Sequence, residues 1–324
     1  MRVLVTGGNR YIGLDLVRQL AAAGHDVTVA NSHETDLPAG VTRLHADRRV
    51  PGEFESVLAA HRDRFDAVFD NTAFSLDDLE PMIELFRDRV AHYVFTSSTA
   101  VYRRSWIQPV SEAFRTHDPA DDDPRKAYGV NKIRCELRLL EEYEHSGFPA
   151  TSLRVSHTLG PRSPLVTRDP VFFSRIEQGR PIFVPGDGAA LLSLVHISDV
   201  ASLMTSVLGQ ERAAGRTFNV TNPESTSVVG AIHFMAAAVG VDARLVSVPI
   251  DAARRQPAPL VHWGEALMGP MVFSPAAALA ELGWQPRFTI ESGYADSYAW
   301  FCDGGRESYE YDFSRDDDLL RQFG

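Results

Sequence analysis

Tyr128 and Lys132 stand four residues apart in the run Tyr-Gly-Val-Asn-Lys, within a stretch from Arg125 to His145 whose pattern predicts one long helix ended by Gly147. Side chains four apart share a helix face, so the phenol and the ammonium would be neighbours. A tyrosine is too weak an acid to serve as a base near neutral pH, and a nearby cation stabilises its phenolate. The pair could then move a hydroxyl proton. A Tyr-x-x-x-Lys pair is common by chance and usually lies on a surface, but here it accompanies the run His92 to Tyr102, HYVFTSSTAVY. That run reads as a buried strand emptying into a hydroxyl-rich turn, where Ser98 could donate to the same substrate oxygen.

A second chemistry-bearing run is Thr6-Gly7-Gly8-Asn9-Arg10-Tyr11-Ile12-Gly13. A glycine-rich turn between a strand and a helix presents backbone N–H groups to a pyrophosphate, and small residues let the ligand approach. The competing reading is a tight turn with no ligand. Arg10 occupies the place of the usual middle glycine.

These residues need a scaffold, and the surrounding pattern supplies one. Val3–Val5 is a short apolar run, Leu14–Ala23 a helix closed by Gly24, and His25–Ala30 a second strand. The alternation continues through Val41–His45, a helix near Glu53–His61, Ala67–Asp70, a helix near Leu76–Arg87, His92–Thr96 and Thr151–Val155. Strands alternating with helices predict an α/β fold with a parallel sheet covered on both faces. Past Gly160 the alternation lapses, with helices near Pro170–Gln178, Ser227–Val239 and Pro275–Leu282, and the chain returns to the sheet between Ser193 and Thr221. We expect one lobe of residues 1–165 with about 191–225, and a smaller one of about 166–190 and 226–324.

Composition narrows the function. The 324 residues carry 32 Lys and Arg against 43 Asp and Glu, a net charge of −11, the wrong sign for general nucleic-acid binding. Two cysteines, Cys135 and Cys302, are too few for a disulfide framework or a thiolate zinc site, and the eleven histidines show no metal-ligand spacing. With no secretory leader and no apolar run long enough to cross a bilayer, the expected setting is the cytoplasm, without a membrane partner. Arg154 is expected to form an ion pair beneath the site, His196 to be structural, Asp121–Asp123 and Asp316–Asp318 to be solvated, and the aromatic C-terminus to dock on the body or on a second subunit.

In order and approximate spacing, TGGxxxxG, FTSSTAVY, YGVNK, LRVSHTLGP, VPGDG, VHISDVA, FNVT and LGWQP resemble the extended short-chain dehydrogenases/reductases, specifically the NAD-dependent epimerase/dehydratase family. The resemblance covers nearly the whole chain. It implies a Rossmann-like doubly wound sheet with a smaller, mostly helical substrate lobe, an NAD(P) cofactor, a small-molecule substrate and a homodimer. By it, Tyr128 is the catalytic acid/base, Lys132 tunes it and holds the nicotinamide ribose, and Ser98 is the hydroxyl partner. Gly7, Asn9, Arg10, Tyr11, Ile12, Gly13, Asn31, Asp47, Ala73 and Lys132 would meet the cofactor, and Ser98, Thr99 and His157 the substrate.

Departures from the family pattern sharpen these expectations. Asn31 replaces the acidic residue that binds the adenosine ribose in NAD-preferring members, and with Arg10 this favours NADP over NAD. Thr99 and Ala100 replace the Asp-Glu that serves dehydration, so a dehydratase is disfavoured. Leu192 replaces the arginine that clamps a substrate diphosphate, which favours substrates without one; Arg254 and Arg255 are candidate substitutes. The expected activity is hydride transfer at a secondary alcohol or ketone of a polyhydroxylated small molecule, epimerisation being preferred and NADPH-dependent ketone reduction the alternative. The turn also resembles GGTRFIG of an atypical branch that includes chloroplast stem-loop RNA-binding proteins, which keeps a non-catalytic RNA-binding or scaffold role as the rival.

Overall fold

The computed structural model describes residues 1–33, 36–257, 260–261 and 269–324. Residues 258–259 and 262–268, within the expected second lobe, lie outside the described residues. The first half runs β1 (Arg2–Thr6), α1 (Tyr11–Ala22), β2 (Asp26–Asn31), β3 (Thr42–His45), α2 (Glu53–Ala59), β4 (Ala67–Asp70), α3 (Leu76–Phe86), β5 (His92–Ser98), α4 (Ala127–Ser146) and β6 (Ala150–Val155). The second half contributes β7 (His157–Leu159), α5 (Asp169–Glu177), β8 (Pro181–Pro185), β9 (Leu191–His196), α6 (Ile197–Val207), β10 (Arg216–Val220), β11 (Ser225–Ser227) and α7 (Val228–Val239). It ends with β12 (Arg244–Val248), α8 (Ile250–Arg254), α9 (Ala276–Leu282), α10 (Ile290–Cys302) and α11 (Asp316–Phe323).

Seven strands form one sheet in the order β10-β6-β5-β4-β1-β2-β3, every pairing parallel. Strand order reverses between β1 and β4, and in doubly wound sheets the crevice at such a switch point, at the strands' carboxyl ends, is where ligands bind. Because both faces are covered, β1, β4 and β6 read as continuous buried runs rather than alternating ones. On one face Leu16, Val17 and Leu20 of α1 pack with Val200, Leu203 and Met204 of α6; on the other, Leu79, Met82, Ile83 and Phe86 of α3 meet Cys135 and Leu139 of α4. Each such side chain contributes about 1.5–3 kcal/mol by leaving water.

The chain returns to the main sheet through β10 alone. β9 instead joins β7 and β11 in a three-stranded sheet, and β8 pairs with β12. These smaller sheets border a separate core of Phe172, Phe173, Ile232, Met235, Tyr294 and Phe301. The aromatic C-terminus docks on the body: Phe301 packs on Phe173 at 5.6 Å, the Tyr309 hydroxyl donates to the Ser163 carbonyl (2.7 Å), and Phe313 stacks under Arg175 and Arg180. Asp316 corrects an expectation, being buried and paired with Arg175 (2.9 Å) rather than solvated. His196 is structural, its ring stacked on Phe288 at 3.8 Å and its Nδ1 accepting from the Ser198 N–H. Asp199 accepts from the N–H groups of Arg287 and Phe288. No helix among the described residues is long and apolar enough to cross a membrane.

Candidate active site

At the switch point, Gly7 leaves β1 with φ +68°, and a Cβ on it would lie 2.5 Å from Thr72 Cγ2. A Cβ on Gly13 would lie 2.1 Å from the Gly7 carbonyl oxygen, so glycine at both positions lets α1 rest directly on the turn. The helix therefore starts at Tyr11, three residues before the apolar pattern predicts. Its N-cap, Arg10, is extended and makes no side-chain cap. The first-turn N–H groups and the positive end of the helix dipole are thus available to an anion.

Opposite, Asp70 organises the end of β4. It accepts from the Thr6 hydroxyl (2.8 Å), the Tyr93 hydroxyl (2.7 Å) and the Thr72 and Ala73 N–H groups, with Arg48 at 3.3 Å. Burial would raise this carboxyl's pKa, but Arg48 and the hydrogen bonds hold it below the ordinary value. Beside it, Asn71 Nδ2 is buried with no partner among the described residues. The glycine cradle, uncapped helix and orphaned amide fit the pyrophosphate of a dinucleotide.

The other predicted cofactor residues fall along this edge. Asn31 ends β2, buried, with its side-chain oxygen accepting from Arg43 Nε (3.1 Å). Asp47 is paired with Arg49 (2.8 Å), whose side-chain hydrogen bonds draw its pKa down to about 2. Asn9 in the turn and Ile12 at the start of α1 are half-buried, and Arg10 is exposed. Ala73 is buried and its carbonyl accepts from Lys132 Nζ at 2.7 Å.

Ser98 ends β5, its Oγ accepting from the Ala100 N–H (3.2 Å) and capping the turn Thr99–Val101. A Cβ on Gly129 would lie 2.1 Å from the Ala100 carbonyl oxygen, so this glycine allows α4 to press on that turn and bring its neighbour Tyr128 to Ser98. Tyr128 is 49% exposed toward the open cleft, with the Phe74 ring 6.3 Å away. Crowding around the phenol pushes its pKa above the ordinary value, opposed by the Ser98 hydroxyl and the Arg168 guanidinium.

Lys132 lies one helical turn along α4 from Tyr128 and is buried. Its Nζ donates to the Ala73 and Thr96 carbonyls, both at 2.7 Å, and lies 4.7 Å from the Phe74 and Phe95 ring centres. Burial draws its pKa down to about 8. The ammonium thus ties the β4 and β5 ends together.

His157, at the start of β7, lines the cleft, and burial together with the Arg168 charge draws it down to about 4, so it is neutral at physiological pH. Thr99 borders the cleft but is buried, its hydroxyl turned toward the Val155 carbonyl. Tyr11 adopts φ +47°, unusual for a non-glycine residue. Burial pushes its phenol up to about 12, and its hydroxyl faces Thr158 and Arg168 without a well-formed hydrogen bond.

Tyr11, Ser98, Tyr128, His157, Thr158 and Arg168 line a cavity of about 440 Å³. It adjoins a chamber of about 630 Å³ that shares Ala100, Tyr128 and Met271 and is bordered by Arg103, Arg104 and Lys126. Beneath lies the expected ion pair, Arg154 with Glu136 at 2.6 Å, both buried. Leu192 is buried in β9, and Arg254 pairs with Asp251 on α8. Sequence reasoning missed Asp70, Phe74, Gly129, Arg43 and Arg168; only Gly129, inside the Tyr-Gly-Val-Asn-Lys run, carried a local signal.

Comparison with known proteins fits this architecture. The model of the NAD dependent epimerase/dehydratase family matches residues 3–221, and the chain belongs to that family. It is similar to the chloroplast stem-loop binding protein of 41 kDa b of Arabidopsis thaliana, 29% identical over 345 residues, covering 98% of this chain and 84% of that protein. It is also similar to the 2′-dehydrokanamycin reductase of Streptomyces kanamyceticus, 28% identical over 263 residues, covering 79% of this chain and 72% of the reductase. Among solved structures, UDP-glucose 4-epimerase of Thermotoga maritima with UDP-glucose shares the fold at a TM-score of 0.76 and 20% identity, covering 94% of this chain and 99% of that one.

Proposed function

We propose that the protein transfers hydride between a nicotinamide dinucleotide and a secondary alcohol or ketone of a polyhydroxylated small molecule. The observation that carries this reading is the Ser98–Tyr128 pair, held by Gly129 across one cleft from the Gly7–Gly13 turn. The dinucleotide would be held by the Gly7–Gly13 turn, Asn31, Asp47, Ala73 and Lys132, and supplies the hydride acceptor or donor. Tyr128 takes or returns the carbinol proton, Ser98 hydrogen-bonds the same oxygen, and the neutral His157 and Thr99 border the substrate.

Epimerisation follows when the ketone turns over in place and recovers its hydride on the other face; the chamber adjoining the 440 Å³ cavity leaves room for that turn. Net reduction is the second reading. It is favoured by the Asn31–Arg43 contact, which puts a cation rather than a carboxylate where an adenosine 2′-phosphate would lie, and by similarity to 2′-dehydrokanamycin reductase. Thr99 and Ala100 offer no acid/base pair for water elimination, so dehydration is not part of the proposal. We take residues 1–165 with about 191–225 as the dinucleotide lobe and the remainder as the substrate lobe. The outward Leu137, Leu140 and Tyr143 of α4 are taken as a homodimer face, which sedimentation tests.

The experiment is to denature protein purified without added nucleotide, identify any released dinucleotide by mass and absorbance, then titrate NAD(H) and NADP(H) into emptied protein. Tightly held NAD supports the epimerase, and exchangeable NADPH the reductase. Binding of neither overturns both and returns the stem-loop-binding relative to the front.

A further inference from the structure

The geometry points to Arg168 as the receptor of an acidic group on the substrate, a carboxylate or phosphate lying a few bonds from the reacting carbinol. This rests on the hydride-transfer reading and names its substrate class. Arg168 immediately precedes α5 and lines the same cavity as Ser98, Tyr128 and His157. Nη1 is anchored on the Thr158 hydroxyl at 2.6 Å, and the guanidinium carbon lies 5.8 Å from the Tyr11 ring centre. Nε is buried and has no hydrogen-bond partner among the described residues. Arg168 forms no ion pair with a described carboxylate: its neighbour Asp169 is turned to the Gly160 N–H and the Ser297 hydroxyl. Thr158 and the adjacent Tyr11 hydroxyl hold the guanidinium in the wall of the cavity. A planar two-oxygen anion is the partner its fork fits.

The charge around it agrees. The chain as a whole carries −11, yet the described residues lining the reaction cavity include Arg168 and no carboxylate. The adjoining chamber sets Arg103, Arg104, Arg125 and Lys126 against Asp123, which pairs with Arg125 at 2.8 Å, while Asp121 holds Lys126 at 2.8 Å. A net-cationic cleft in an acidic protein draws anionic ligands inward and retards neutral ones only by comparison. The substrate class is therefore a hydroxy or keto acid, or a phosphorylated polyol, with its acidic group beside the reaction centre.

A second source of the same chemistry is the dinucleotide's own pyrophosphate, and the test separates the two. Wild type, Arg168→Gln and Arg168→Lys, each checked by thermal melting, are titrated with NADPH and NADP⁺ by fluorescence. The NADP⁺-loaded proteins are then titrated with D-glucuronate, inorganic phosphate and, as the neutral control, D-glucose, by saturation-transfer NMR. The expected result is dinucleotide affinity unchanged within about threefold in Arg168→Gln, and a preference of about tenfold or more for an acidic probe over glucose that Arg168→Gln abolishes and Arg168→Lys partly keeps. Wild type without preference for either acid overturns the proposal. So does an Arg168→Gln that loses dinucleotide affinity but keeps the acid preference. Wild type that binds no dinucleotide overturns the hydride-transfer reading itself.

Discussion

Two polar clusters share the carboxyl half of the sheet and are built in opposite ways. Beneath the site, Arg154 meets Glu136 at 2.6 Å and donates to the Tyr102 hydroxyl at 2.8 Å, Tyr102 donates to Asn219 at 2.7 Å, and Ser97 donates to Glu136. In the cleft above, Tyr128 faces open space, and among the described residues Arg168 Nε and the Tyr11 hydroxyl have no well-formed hydrogen bond. A closed network specifies shape, whereas buried polar groups left open in a native fold call for an explanation, here a ligand. Structure and chemistry are thus divided between neighbouring layers.

Breaking the closed layer has the largest effect. Arg154→Met leaves Glu136 buried without its cation and is expected to cost about 3–5 kcal/mol in urea unfolding, while replacing both residues by apolar ones costs much less. A single mutant no worse than the double mutant would show that the pair is not closed.

Asp169, next to Arg168, is buried, and its effect depends on pH. Burial raises its pKa to about 6, above the roughly 3.9 of an unfolded carboxyl. Between those values the folded protein keeps a proton that the unfolded chain has lost, so stability falls as pH rises through this window and stays reduced above it. Asp169→Asn is expected to gain about 3 kcal/mol at pH 8 and nothing at pH 4, read from paired melting curves.

The smallest effect concerns the cofactor edge. Asn31→Asp places a carboxylate where the proposed dinucleotide's ribose would lie and is expected to lower NADPH affinity relative to NADH by about tenfold in parallel titrations. An unchanged ratio would remove Asn31 and Arg43 from cofactor selection.

The sequence made single residues legible in both layers, Arg154 in the closed one and Ser98, Tyr128 and His157 in the open one, but not the partners that surround them. Val3–Val5, the glycine turn and the alternation to Val155 carry local signals, and they led to the parallel sheet. Arg154 was readable as a strut because a charge inside an apolar strand needs a partner. Arg168 was not readable, since its surroundings, Thr158, Tyr11 and Tyr128, come from three separate parts of the chain. Likewise, helix spacing put Lys132 near Tyr128 but could not reveal the Ala73 and Thr96 carbonyls that capture it. The early start of α1 depends on Gly13 meeting the Gly7 carbonyl, a contact that periodicity does not encode. β9 escaped the main sheet because it pairs with β7 and β11, strands of three residues each.

The most direct test of the central claim is Tyr128→Phe, with dinucleotide affinity and single-turnover hydride transfer measured on the same preparation. The account predicts a dinucleotide dissociation constant within about threefold of wild type and a transfer rate lower by about a thousandfold. Full transfer without the phenol would contradict it.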